Sequence, residues 1–157
     1  MLEKIDLWIN QVLSEYSEEA ISCRVLEKAF QGFYSPETLD NSYFVVTDEI
    51  PKPNFPEFHE KGLSGFLEKD LEGITYKNLY FIKKGYENDL SLHFHELVHV
   101  QQWKFLGDHG FINRYIQELR TYEYDEAPLE KMAYTLQEYF EAEEPQMDIA
   151  KYVQRKL

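Results

Sequence analysis

Cysteine and basic residues are what this 157-residue chain has least of: one Cys, and 16 Lys plus Arg against 29 Asp plus Glu. A lone Cys23 excludes an internal disulfide framework, and inside an apolar run it reads as a small core residue. A formal charge of −13 excludes the clustered cationic surface that phosphate binding needs, so no nucleic acid partner is expected. No run approaches the ~20 consecutive apolar residues of a membrane span, which excludes a membrane role of that kind. The first ten residues, Met-Leu-Glu-Lys-Ile-Asp-Leu-Trp-Ile-Asn, lack the continuous apolar core and cleavage site of a signal peptide. A cytoplasmic location is the expectation, with leaderless export left open. What the chain has in quantity is hydrophobic (43 %) and aromatic (16 %) residues, the composition of one packed domain spanning residues 1–157.

The pattern along the chain predicts a helix-dominated α+β fold with a small sheet in front. Ile5, Trp8, Ile9, Val12 and Leu13 recur at helical spacing, and a second helix is expected over residues 18–31, ended by Gly32. These form a helical section within residues 1–35. Residues 42–47 read as a strand, and 74–82 as the clearest strand, within a strand-and-loop region over 40–83. Residues 51–56 carry three prolines and form a loop; 57–70 are weakly patterned, with one helical turn expected near 66–70. Further helices are expected within 89–142, and a short C-terminal helix within 146–156, which either packs on the domain or plugs a cleft.

The chemistry concentrates in His95-Glu96-Leu97-Val98-His99, an HExxH motif. On a helix, positions i and i+4 share a face, so His95 and His99 can offer two imidazole nitrogens to one metal ion. Glu96 sits at the edge of that face, placed to act as general base on a metal-bound water. The host segment, residues 89–106, has no Gly or Pro; Asn88 or Asp89 can cap it and Gly107 can end it. Apolar residues surround the stripe on most sides, as in a buried helix. The alternative is a core helix whose histidines are simply hydrogen-bonded.

Catalytic zinc takes three protein ligands and leaves one position open. The metzincin continuation HExxHxxGxxH is excluded, because Gln102 and Phe105 stand where Gly and His are required. A carboxylate from a second helix remains, with Glu126 and Glu130 as competitors. Pro128 suits a first helical turn, which puts Glu130 on a rigid element and Glu126 in the turn before it; Glu130 is preferred.

HExxH followed some thirty residues later by Glu-x-x-Ala resembles the gluzincins, the thermolysin-like zinc metallopeptidases. The longer run is similar to short bacterial HExxH proteins, through residues 73–82, His95 to Trp103, Leu106-Gly107, Phe111, Arg114-Tyr115 and Tyr124 to Tyr134. The match covers about residues 73–140. It implies a zincin-like fold, Zn2+ held by His95, His99 and Glu130, Glu96 as general base, and the strand 74–82 as an edge above the metal on which an extended peptide pairs. Thermolysin-like enzymes also carry a downstream His and Tyr that stabilise the oxyanion. No His follows His109 here, and Tyr134, one turn beyond Glu130, is the candidate for that role. The expectation is a zinc-dependent hydrolase of a peptide or protein substrate. The alternatives are a non-catalytic zinc-binding interaction module on the same fold, and a domain without metal.

Overall fold

A computed structural model describes residues 1–157. The chain opens with helix α1 (Leu2–Glu15), whose Ile5, Ile9 and Val12 form one buried stripe. Next come strand β1 (Ile21–Ser22), a 3-10 helix (Cys23–Leu26), α2 (Pro36–Asp40) and strand β2 (Tyr43–Thr47). Two single-turn helices, α3 (Pro56–Glu60) and α4 (Ser64–Glu68), lead to the hairpin of β3 (Gly73–Tyr76) and β4 (Leu79–Lys83). The second half is helical: α5 (Leu90–Leu106), α6 (Asp108–Thr121), α7 (Pro128–Glu141) and α8 (Ile149–Lys156), with a 3-10 turn (Tyr124–Glu126) before α7. The architecture is therefore α+β and helix-dominated, with one four-stranded sheet. No helix is long and apolar enough to cross a membrane.

The sheet order is β1-β2-β4-β3. β2 runs parallel to β4, and the two outer pairs are antiparallel. β3 is thus an edge strand, beside α5. α5 is the central helix: eleven consecutive residues from His93 to Trp103 are buried. It starts where the Asp89 carboxylate accepts from the Leu92 amide (3.2 Å) and stops at Gly107, whose φ of +78° suits glycine. One side of α5 packs against β3 and β4, the other against α7 and α8. Phe94, at its heart, lies 5.4 Å from Phe30 and 4.6 Å from Phe140, so α5 and α7 are joined by an aromatic cluster. A second core gathers Ile5, Ile9, Phe81, Trp103, Phe111 and Leu129 under α1 and α6.

Two expectations need correction, and one choice left open is decided. Residues 18–31 are not a helix. Ile21 pairs with Phe44 across the sheet, Ser22 caps the 3-10 helix by accepting from the Arg24 amide, and Val25 is 68 % exposed. The helical spacing of apolar residues is here used by a winding chain of 3-10 and turn structure that buries Leu26 and Phe30 in one core. Residues 74–82 are a hairpin, with Lys77-Asn78 as a two-residue turn. Lys77 holds a φ of +62°, unfavourable for a residue with Cβ. Its ammonium is anchored by Asp6 (2.9 Å), Asn10 (2.8 Å) and Asp108 (3.1 Å), contacts that offset the strain. Of the two options for the C-terminal helix, α8 takes the first and packs on the domain. Ile149 and Val153 are fully buried in the aromatic core, and the Ile149 amide donates to the Phe33 carbonyl (3.1 Å).

Candidate metal centre

His95 and His99 sit one turn apart on α5 and face the first turn of α7, where Glu130 stands. α7 is fixed there by two contacts on Leu129. Its amide donates to the buried Glu118 carboxylate of α6 (2.8 Å), and its carbonyl accepts from the Gln102 side chain of α5 (3.0 Å). The outcome is a triangle. His95 Nε2, His99 Nε2 and Glu130 Oε1 are each 3.2 Å from the other two. All three residues are buried, at 4 % exposure or less.

Hydrogen bonds on the far side of each ring decide what the triangle can do. The Leu129 carbonyl can only accept, so the Gln102 amide nitrogen faces it and Gln102 Oε1 faces His99 Nδ1 (2.7 Å). His99 therefore donates from Nδ1 and directs the Nε2 lone pair inward. His95 does the same, donating from Nδ1 to Gln137 Oε1 (2.9 Å). With both rings neutral, three electron-rich atoms converge, which is repulsive unless a proton on an imidazole or a metal ion lies among them. A tetrahedral ion with bonds of ~2.0–2.1 Å holds its ligand atoms roughly 3.3 Å apart, and the observed edges match that spacing. The donor set fits a divalent metal, with the outer hydrogen bonds that orient metal-binding imidazoles already in place.

The electrostatics agree. Burial works against a charged His99, but the adjacent Glu130 carboxylate outweighs it and lifts the imidazole to about 9. Burial would likewise raise Glu130, yet the imidazoles of His99 and His95 hold its carboxyl well below the usual carboxylate range. The second Glu130 oxygen accepts from the Tyr115 hydroxyl of α6 at 2.6 Å, a short charge-assisted bond that turns Oε1 toward the imidazoles.

Glu96 lies beside the triangle. Its Oε1 accepts from the Thr75 hydroxyl of β3 (3.0 Å), which leaves Oε2 uncommitted, 3.8 Å from His95 Nε2. Burial pushes the Glu96 carboxyl up, although the neighbouring imidazoles pull against it. The strand comes this close because residue 73 is glycine. A Cβ there would lie 3.2 Å from Glu96 Cδ and 3.1 Å from the Phe81 carbonyl oxygen. Two recesses flank Glu96: an apolar cavity of about 80 Å³ on the His99 side, and a polar recess of about 250 Å³ on the His95 side. Gly73, Glu96 and Tyr124 line both.

Of the residues singled out by sequence, the structure brings together His95, His99, Glu130 and Glu96. Glu126, the competing carboxylate, lies outside the cluster in the turn before α7, exposed and paired with Lys131 (3.4 Å). Tyr134 stacks its ring on His95, centroids 4.5 Å apart, and lines the polar recess; its hydroxyl makes no hydrogen bond in the cluster. His93, two residues before the motif, faces away: it donates to the Glu87 carbonyl (2.8 Å) and accepts from the Tyr80 hydroxyl (2.6 Å). Sequence reasoning missed Gln102, Gln137, Tyr115 and Thr75, which hold His99, His95, Glu130 and Glu96 in place. Gln102 alone left a signal, one turn after His99 on the same helix. No protein-family model, curated protein or solved structure matches the chain.

Proposed function

We propose that this protein is a zinc-dependent hydrolase of peptide bonds, with a gluzincin-type centre on a zincin-like fold. The observation that carries the reading is the 3.2 Å triangle of two imidazole lone pairs and one carboxylate oxygen, with an uncommitted carboxylate oxygen of Glu96 beside it. His95, His99 and Glu130 hold the ion. When bound there, zinc supplies Lewis acidity for the scissile carbonyl and brings the pKa of a bound water down toward ~7.

The chain's own residues do the rest. Glu96 Oε2 takes the proton from the attacking water and passes it to the leaving amine, while Thr75 holds Oε1 and fixes the carboxylate plane. Burial, by raising the Glu96 carboxyl, makes it a better base. Gln102 and Gln137 keep the imidazoles in the ligating tautomer, and Tyr115 keeps Glu130 turned inward. β3, at the sheet edge beside α5, is the strand along which an extended peptide aligns. Tyr134, against His95 and at the wall of the polar recess, is the donor to the developing oxyanion.

The test is metal content by elemental mass spectrometry together with turnover of a peptide library. About one zinc per chain is expected in wild type and in Glu96→Gln, with a ~10²–10⁴-fold loss of turnover in the variant. His99→Ala and Glu130→Ala should lose the metal. Zinc in the wild type without hydrolysis of any peptide would replace the enzyme reading with a metal-stabilised interaction module. No zinc after reconstitution would refute both.

A further inference from the structure

α5 carries two adjacent glutamines, and only one of them has partners. Gln102 is engaged at both ends, by His99 and by the Leu129 carbonyl. Gln101 is 1 % exposed, yet neither its Oε1 nor its Nε2 meets a hydrogen-bonding group of the chain. Buried carboxamides are ordinarily paired, and an unpaired one costs the fold the desolvation of both its polar groups. Two residues beyond His99, Gln101 lies on the other side of the helix, in the wall of a recess of about 490 Å³. α2 and the residues after it, the β3–β4 turn and the start of α6 complete that wall. Neither Glu96 nor any of His95, His99 and Glu130 lines it.

Most hydrogen-bond donors of this wall are spent inside the protein. The Lys77 ammonium goes to Asp6, Asn10 and Asp108. The Ser42 hydroxyl donates to the Thr38 carbonyl (2.7 Å). The side-chain nitrogens of Asn41 and Asn78 donate to the Glu37 and Asn41 carbonyls (2.8 and 2.9 Å). What remains on the exposed rim is acceptors: Oδ1 of Asn41, Oδ1 of Asn78 and the Glu37 carboxylate. The charges balance, Glu37 and Asp108 against Lys77 and Lys104. A fitting ligand is therefore neutral, has donors in excess, and can both donate to and accept from one carboxamide. Hydroxyl groups meet all three demands, and two on neighbouring carbons span a carboxamide, one donating to Oε1 and one accepting from Nε2. Val100 and Trp103 add apolar wall against which the C–H face of a sugar ring can lie. The volume is that of a small-molecule site, ~300–1,000 Å³. We propose that this recess binds a neutral saccharide of one or two rings, with Gln101 at its buried floor pairing with two neighbouring hydroxyls. Failure of the hydrolase reading would leave this site untouched.

The experiment is a titration of the full chain, labelled with nitrogen-15, followed by NMR of the side-chain amides. The probes are cellobiose, maltose and N-acetylglucosamine at millimolar concentration, with spermidine as a donor-rich cation. The Gln101 amide resonances are identified by their absence in Gln101→Met, which keeps the side-chain length, removes the unpaired groups and should fold at least as stably. At least one sugar is expected to shift those resonances saturably in the wild type. The same sugar should bind Gln101→Met about tenfold or more weakly, the loss of two hydrogen bonds to one buried group. If that variant does not fold, Glu37→Ala on the exposed rim should weaken the sugar several-fold. No saturable shift from any of the three sugars would overturn the proposal. So would a sugar that binds Gln101→Met, or in its place Glu37→Ala, as tightly as the wild type. Spermidine shifting the Gln101 amide where no sugar does would overturn it in favour of a cation site.

Discussion

Tyr115→Phe removes one oxygen atom and should weaken metal binding by about 10–100-fold. The Tyr115 hydroxyl donates at 2.6 Å to Glu130 Oε2, the oxygen that does not face the imidazoles, in a residue only 2 % exposed. The Tyr115 ring stacks on Phe111 at 5.4 Å, so phenylalanine keeps the packing and the substitution isolates the hydrogen bond. A bond to a buried charged acceptor contributes about 1.5–3 kcal/mol, and Tyr115 makes the one hydrogen bond to that oxygen. Two consequences separate. The metal-free protein should lose stability of that order in urea denaturation, because a buried carboxylate oxygen is now unpaired. Metal affinity should fall because Glu130 is no longer locked with Oε1 inward; loss of such outer hydrogen bonds typically costs 10–100-fold, or about 1.4–2.8 kcal/mol. Competition against a chromophoric chelator measures the second effect directly. An affinity within twofold of wild type would refute the positioning role, even if stability fell.

Two further outcomes follow from the same geometry. His99, lifted to about 9, contributes stability to the metal-free fold that is complete below its ordinary value near 6.5 and is lost as pH rises through 9. Metal must displace that proton, so apparent affinity should rise by up to about tenfold per pH unit across this window and then level off; a flat profile would contradict it. Gly73→Ala places a Cβ 3.1 Å from the Phe81 carbonyl oxygen, which the β4 ladder holds, and 3.2 Å from Glu96 Cδ, which must move. We expect about 1–3 kcal/mol of destabilisation by chemical denaturation, with metal retained and turnover reduced. Unaltered turnover would show that Glu96 does not depend on its contact with the strand.

The parts of this protein that sequence made legible are those in which one helix decides the outcome. The two His positions of HExxH need nothing but the 3.6-residue period of α5, and Asp89 and Gly107 bound that helix by local chemistry alone. The place of Glu130 in the cluster was legible for a similar reason: Pro128 opens a helix, and a carboxylate on a helix is better held than Glu126 in a turn. What was not legible depends on elements meeting. Nothing about Tyr115 or Thr75 in sequence marks either as the partner of a particular carboxylate. Each becomes one because α6 and β3 are pressed against α5 and α7. The same holds for the misread segments. Residues 18–31 carry helical spacing, yet β2 offers Ile21 a strand partner, and burial of Leu26 and Phe30 among Phe33, Phe94 and Phe140 outweighs local propensity. Lys77 has none of the Asn or Gly chemistry that announces a hairpin turn, because its conformation is held by Asp6, Asn10 and Asp108 from two distant helices. That turn also ties α1 to the sheet, and Ile5 and Ile9 of α1 help to line the apolar cavity beside the metal centre. A lysine whose backbone runs against its local preference thus helps to hold the wall that carries Ile9, and the reason for its conformation lies in contacts more than thirty residues away along the chain.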